Sequence, residues 1–208
     1  MIGPKFDTTF FERYAMIMLS SILGEHYSNL INSDRPDLQD ISQGFGIEVT
    51  RAIKEDKTEA ELLINELAGS DIFFTDADMQ DIDFYGYAYG LDYRGLMGKQ
   101  EKRYWSLALP LKRIIASKVR KVADGFYGNF KKFGLFIFTK ESMTTLEIQM
   151  VVEYIFDLQK ENKVKYQELY IAQTDKLSVC YLDTLQIIDY TIDKDQCRHF
   201  YKNALVKS

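Results

Sequence analysis

Two carboxylates lie in segments whose local sequence predicts turns and strands. Asp37 follows a proline in residues 35–38 (Arg-Pro-Asp-Leu), and Glu48 lies in residues 47–50 (Ile-Glu-Val-Thr). A hairpin between these segments would place both carboxylates on adjacent strands. Proteins bind Mg²⁺ through one or two carboxylates, and the ion keeps waters and substrate phosphates as its other ligands. The two segments therefore predict a site for a divalent cation.

The chemistry of this pair depends on the direction in which each side chain faces. Side chains alternate between the two faces of a strand, so Glu48 and Thr50 are expected to share one face. Ile47 and Val49 would pack beneath the sheet, which leaves Glu48 facing a cleft. The alternative is that Asp37 only starts a turn and Glu48 is an exposed strand residue.

Periodicity and turn residues around the pair predict an ordered series of elements. Apolar residues recur at helical spacing over residues 8–30. Strands over residues 37–41 and 45–51 are joined by a turn-forming Ser-Gln-Gly sequence. A capping box predicts a helix over residues 58–68, and the aromatic, glycine-containing residues 70–104 are interpreted as a long inserted loop.

The second half of the chain predicts alternating helices and strands. Pro110 suits the first turn of a helix that extends to about Phe126, and residues 133–139 form an apolar run typical of a central strand. The elements expected after it are a helix over residues 144–160, strands over residues 167–172, 177–182 and 186–192, and a helix over residues 194–206. This order predicts one α/β domain over residues 1–208, with a central mixed sheet.

The two acidic segments, followed by a basic helix and an apolar strand, resemble the core of the PD-(D/E)xK nuclease superfamily. The resemblance covers residues 8–139 in element order, and its motif residues occupy positions 36–50. It implies a restriction-endonuclease-like α/β/α sandwich and a Mg²⁺ or Mn²⁺ ion held by Asp37, Glu48 and the backbone carbonyl of Val49. Such an ion neutralises the scissile phosphate and lowers the pKa of an attacking water. The expected activity is hydrolysis of a phosphodiester.

The lysine of the motif is absent, because Thr50 occupies its position and a hydroxyl carries no positive charge. Strand alternation turns the neighbouring Arg51 toward the opposite face. Lys118 is the better candidate for a catalytic lysine, and its migration to this helix is a known variation in the superfamily. The alternative is a lysine whose stem packs while its ammonium reaches water.

The case for Lys118 rests on the face of the helix that it occupies. At about 100° per residue, Lys118 falls within the apolar stripe, whereas Arg113 and Arg120 project away from it. A lysine in such a stripe needs a partner for its charge, and an acidic metal site would supply one. The stripe consists of Leu111, Ile114, Ile115, Val119, Val122 and Phe126.

The resemblance also implies a glutamate of the first helix near the metal. Glu12 and Glu25 both qualify by residue type. Glu12 is preferred as the additional metal ligand because the buried stripe of the helix flanks it. Both glutamates are otherwise interpreted as surface residues.

Composition excludes several classes of protein. The net charge of −5 argues against a protein that coats nucleic acid, although the segment after residue 99 is locally basic. Two cysteines are too few for a disulfide framework or a tetrahedral zinc site. No apolar run approaches the roughly 20 residues that span a bilayer. The expectation is a cytoplasmic protein without a membrane partner.

Three hypotheses follow for function. The first is a Mg²⁺-dependent nuclease that acts on nucleic acid, DNA in preference to RNA, with a homodimer left open. The second is a module of the same fold that lost catalysis with the motif lysine and binds nucleic acid or protein. The third is an unrelated α/β protein, in which Asp37 and Glu48 would not converge.

Overall fold

The computed structural model describes residues 8–51, 109–139 and 142–206. The helix predicted over residues 58–68 and the loop predicted over residues 70–104 lie outside these ranges. In the described part, no helix is long and apolar enough to cross a membrane.

The described ranges contain four α-helices, one short 3₁₀ helix and seven strands. The helices are α1 (Thr8–Leu23), α2 (Leu109–Ala123), α3 (Thr145–Gln159) and α4 (Lys194–Ala204), and the 3₁₀ helix is Glu25–Tyr27. The strands are β1 (Ile31–Asn32), β2 (Leu38–Asp40), β3 (Phe45–Arg51), β4 (Lys132–Phe138), β5 (Glu168–Ala172), β6 (Lys176–Tyr181) and β7 (Gln186–Thr191).

Three predicted helices end earlier than expected. α1 stops at Leu23 because Gly24 adopts a φ of 82°, and residues 25–30 do not continue the helix. α2 stops at Ala123, and Gly125 follows with a φ of 73°. The extension of this helix to Phe126 was therefore wrong. α4 ends at Ala204, two residues short of the predicted bound.

Local capping chemistry fixes the starts of α3 and α4. The Thr144 hydroxyl accepts the backbone N–H of Glu147, whose carboxylate in turn accepts the Thr144 N–H, so the predicted capping box is confirmed. Asp193 and Gln196 form an equivalent box at α4. Each box satisfies backbone donors that a helix start leaves without intrahelical partners.

The seven strands form one mixed sheet in the order β1 to β7. β3, β4 and β5 run parallel to one another, whereas the pairs at both edges are antiparallel. Two antiparallel strand pairs on each side thus flank a parallel centre. The predicted α/β class with a mixed sheet is confirmed.

Helices cover both faces of the sheet. Along β4, Phe136 and Phe138 pack with α1 and α4, while Leu135 and Ile137 pack with α2 and α3. This alternation follows from the period of two in a strand, and burial on both faces explains why β4 is almost continuously apolar.

The hairpin β2–β3 is held by a close contact at its base. A Cβ added at Gly46 would lie 2.4 Å from Cγ of Pro36, which is far below van der Waals contact. Gly46 is paired with Gln39 of β2, so the proline packs directly against the backbone of β3. This contact fixes the chain immediately before Asp37.

Gly46→Ala should therefore destabilise the protein, by about 1–3 kcal/mol in the free energy of unfolding, because the new methyl group overpacks this contact. Urea denaturation measures the change. In the Pro36→Ala background the same substitution should cost clearly less. An equal cost in both backgrounds would contradict the proposed contact.

Candidate functional site

A cavity of about 240 Å³ opens where β3 meets α2 and the segment that precedes β2. Its walls combine acidic, basic and aromatic side chains from separate parts of the chain. They are Phe11, Glu12, Asp34, Arg35, Asp37, Glu48, Val49, Thr50, Arg51, Lys118, Lys121, Phe126 and Tyr127. The two carboxylates predicted from sequence thus line one cavity.

Asp37 is anchored to the strand that carries Glu48. Its Oδ2 accepts the backbone N–H of Val49 at 2.7 Å, so the aspartate is fixed one residue beyond Glu48. Burial, together with the negative charge of Glu48, raises the pKa of Asp37 to about 7, and the charge of Glu12 acts in the same direction. The cavity therefore holds a carboxyl group that titrates near neutral pH.

Glu48 is paired with Lys118 across the layers of the fold. The Lys118 ammonium donates to Oε1 of Glu48 at 2.5 Å, and the two side chains are only 10% and 9% exposed. An ion pair this buried persists because each charge compensates the other after both have lost their hydration.

The helical periodicity of α2 turns Lys118 toward Glu48. Its neighbours in the stripe of α2, among them Ile114, Val119 and Val122, are buried against β4 and α3. The Lys118 ammonium was predicted to point toward Asp37 and Glu48, and its hydrogen bond to Glu48 agrees with this direction. Arg120 is exposed, also as predicted, and the side chain of Arg113 lies outside the described residues.

The residues next to Glu48 follow the predicted alternation. Val49 packs against the core between the sheet and α1, and the guanidinium of Arg51 lies 4.3 Å from the ring centroid of Phe11 of α1. Thr50 is buried in the cavity wall. The motif position of the lysine is therefore occupied by an uncharged side chain, and the cationic group beside Glu48 comes from α2.

The two glutamates considered for the first helix differ in whether they line the cavity. Glu12 lines the cavity, and its Oε2 accepts the Asn32 amide at 2.6 Å. Glu25 lies after the end of α1, is exposed and does not line the cavity. Of these two glutamates, only Glu12 therefore lies at the cavity.

Asp37 and Glu48 are carboxylates, the type of ligand that a hard divalent cation takes. Asp37 and Glu48 both line the cavity, and repulsion between them is one cause of the raised pKa of Asp37. A cation between them would relieve this repulsion and favour the ionised form. No cluster of three or more His, Cys, Asp or Glu side chains suited to a metal occurs in the described ranges, so a cation would depend on these two carboxylates, a backbone carbonyl and water.

Several cavity residues were not anticipated from sequence. Tyr127 is buried beside Glu48, and burial, with the charges of Tyr166 and Glu48 contributing, raises its pKa far above the usual value. Phe126, predicted as part of the buried stripe, is instead 46% exposed at the cavity. Positive φ at Gly125 and Gly128 allows the turn that presents both aromatic residues.

No protein-family model, curated protein or solved structure matches the chain. Inference about function therefore rests on the geometry and chemistry of the cavity itself.

The raised pKa of Asp37 predicts a pH-dependent stability. Unfolding returns this pKa from about 7 to its ordinary 3.8, so the protonated carboxyl stabilises the fold below pH 3.8 and this contribution is lost as the pH rises toward 7. The contribution of Asp37 to the slope of the free energy of unfolding against pH should reach at most about 1.4 kcal/mol per pH unit. Asp37→Asn should remove it in metal-free urea titrations, whereas Asp157→Asn, exposed on α3, should not. The same slope in Asp37→Asn would refute the assignment.

The buried ion pair predicts strong coupling between Lys118 and Glu48. Lys118→Met should lower the free energy of unfolding by about 3 kcal/mol, because it leaves the Glu48 carboxylate buried without its counter-ion. Adding Glu48→Gln to that variant should recover part of the loss. Additive losses in a double-mutant cycle of urea denaturation would show that the two charges do not depend on one another.

Proposed function

We propose that the protein is a Mg²⁺-dependent nuclease that hydrolyses a phosphodiester at the cavity of Asp37, Glu48 and Lys118. The observation that carries the proposal is the ion pair of Lys118 and Glu48, in a cavity that Asp37 also lines. Two carboxylates and a buried lysine are the functional groups of the PD-(D/E)xK type. The proposal includes the restriction-endonuclease-like form of the α/β fold.

The missing motif lysine is the main argument for a module without catalysis. That argument assumes that Thr50 leaves the site without a positive charge. Lys118 brings an ammonium to Glu48 from α2, so the charge can be supplied from another element. This supports the nuclease over the non-catalytic module as the leading proposal.

Asp37, Glu48 and the carbonyl of Val49 would hold the cation, and Glu12, which lines the same cavity, would be an additional ligand. The cation, when bound, lowers the pKa of a coordinated water and neutralises charge on the phosphate. Anchoring of Asp37 by the Val49 N–H fixes the two carboxylates relative to each other before substrate binds.

Lys118 supplies positive charge where negative charge develops during the reaction. A water oxygen forms a new bond to phosphorus and gives up one proton, the ester P–O bond breaks, and the departing oxygen takes up one proton. The transition state carries charge on the phosphoryl oxygens, which a nearby ammonium stabilises. The hydrogen bond to Glu48 holds the Lys118 ammonium beside a carboxylate that would bind the cation.

Substitution of the three residues tests the proposal. Asp37→Asn and Glu48→Gln should abolish Mg²⁺- or Mn²⁺-dependent cleavage of labelled single-stranded and duplex oligonucleotides. Lys118→Met should lower the single-turnover rate constant by about 10²- to 10³-fold, as expected for loss of one preorganised charge in a buried site. Gel analysis of the products under single-turnover conditions gives these rates.

Glu25→Gln serves as the matched control, because Glu25 is exposed and away from the cavity. The cleavage rate of this variant should equal that of the native protein. A native protein that cleaves none of these substrates with either cation would refute the nuclease proposal. Cleavage that persists in Glu48→Gln would refute the assignment of the site.

A further inference from the structure

An exposed aromatic ring lies at the cavity near two cationic side chains. Phe126 is 46% exposed, and the guanidinium carbon of Arg35 lies 5.2 Å from its ring centroid. The ammonium of Lys121 lies 5.0 Å from the same centroid. All three residues line the cavity that contains Asp37 and Glu48.

The backbone holds this cationic–aromatic rim, defined as Arg35, Lys121 and Phe126, in place. The Phe126 N–H donates to the carbonyl of Lys121 at 3.0 Å just beyond the end of α2. Arg35 has a φ of 61°, which is uncommon for a residue other than glycine. Such backbone conformations cluster at functional sites. Two distant segments are thus brought together around one ring.

The charges of the rim are available to a ligand. Lys121 makes no ion pair with any residue in the described ranges, and the only ion pair of Arg35 there is with its exposed neighbour Asp34. Exposed pairs of this kind contribute little and exchange readily. Interaction of both cations with the Phe126 ring instead limits their motion at the cavity.

We propose that the rim binds an unpaired nucleotide adjacent to the phosphodiester that is cleaved. Arg35 and Lys121 bind backbone phosphates, and the exposed part of the Phe126 ring packs against the base. This inference rests on the proposed nuclease function, for which it names the substrate class as a single strand or an unpaired end.

The chemistry of the rim favours an unpaired strand over a duplex. Aromatic side chains gain stacking energy only from bases whose faces are free, and this contact is tolerant of sequence. The bases of a duplex are already stacked on each other, so proteins read them from the grooves with hydrogen-bonding side chains. The rim contains an aromatic ring and two phosphate-binding cations, which is the combination found on platforms for single strands.

Binding without cleavage tests the proposal directly. Fluorescence anisotropy in EDTA should show that a labelled oligothymidylate binds the full chain more tightly than a duplex of equal length. Phe126→Leu should weaken binding of the single strand about tenfold, since base stacking on an aromatic residue is typically worth one to two powers of ten in affinity. The same variant should leave duplex binding unchanged.

Variants that remove one positive charge distinguish a specific phosphate contact from general electrostatic attraction to the strand. Arg35→Gln and Lys121→Gln should each reduce the slope of log Kd against log salt concentration by about 0.7, the value for one phosphate contact of a single strand. Arg120→Gln removes the same charge from a neighbouring position that lies outside the cavity, and should not change that slope. Equal effects of Lys121→Gln and Arg120→Gln, or native affinity in Phe126→Leu, would overturn the proposal.

Binding and cleavage measured together distinguish failure of the rim proposal from failure of the nuclease proposal. Cleavage by the native protein with unchanged single-strand binding in the rim variants would refute the rim and leave the nuclease intact. Rim-dependent binding without any cleavage would refute the nuclease and leave a single-strand binding site. A free nucleoside monophosphate that competes as well as the oligonucleotide would overturn the claim that a strand is bound.

Discussion

Burial of the Glu48 carboxylate with the Lys118 ammonium is the interaction on which the site depends. Each charge alone would be strongly disfavoured inside the fold, so the position of one requires the other. The pair connects the central sheet to α2, and it sets the distance between the acidic strand and the basic helix. Glu48 and Lys118 therefore take part both in the chemistry proposed for the cavity and in the packing of these two layers.

Asp37 adds a second constraint to the same cavity. Its carboxylate is tied to the backbone of β3, and repulsion by Glu48 together with burial raises its pKa to about 7. The fold thus maintains two acidic groups close together at some cost in stability. Such a conflict between stability and local charge is common where a protein binds a cation or carries out catalysis.

Local patterns predicted most of the fold, whereas contacts between distant segments could not be predicted. Helical periodicity placed Lys118 within the apolar stripe of α2, and the capping box at Thr144 located α3, because both signals depend only on near neighbours. Phe126 was misplaced, since a turn at Gly125 ends the periodicity before that residue. Tyr127 and the rim around Phe126 gave no sequence signal, because their partners lie far away in the chain.

A crystal structure of the protein soaked in Mn²⁺ tests the central claim most directly, since anomalous scattering locates the ion without assumptions about activity. We expect one Mn²⁺ bound by Asp37, Glu48 and the carbonyl of Val49, with the Lys118 ammonium still beside the site. An ion bound elsewhere, with the pair of Glu48 and Lys118 closed and the Asp37 carboxylate not bound to metal, would contradict it.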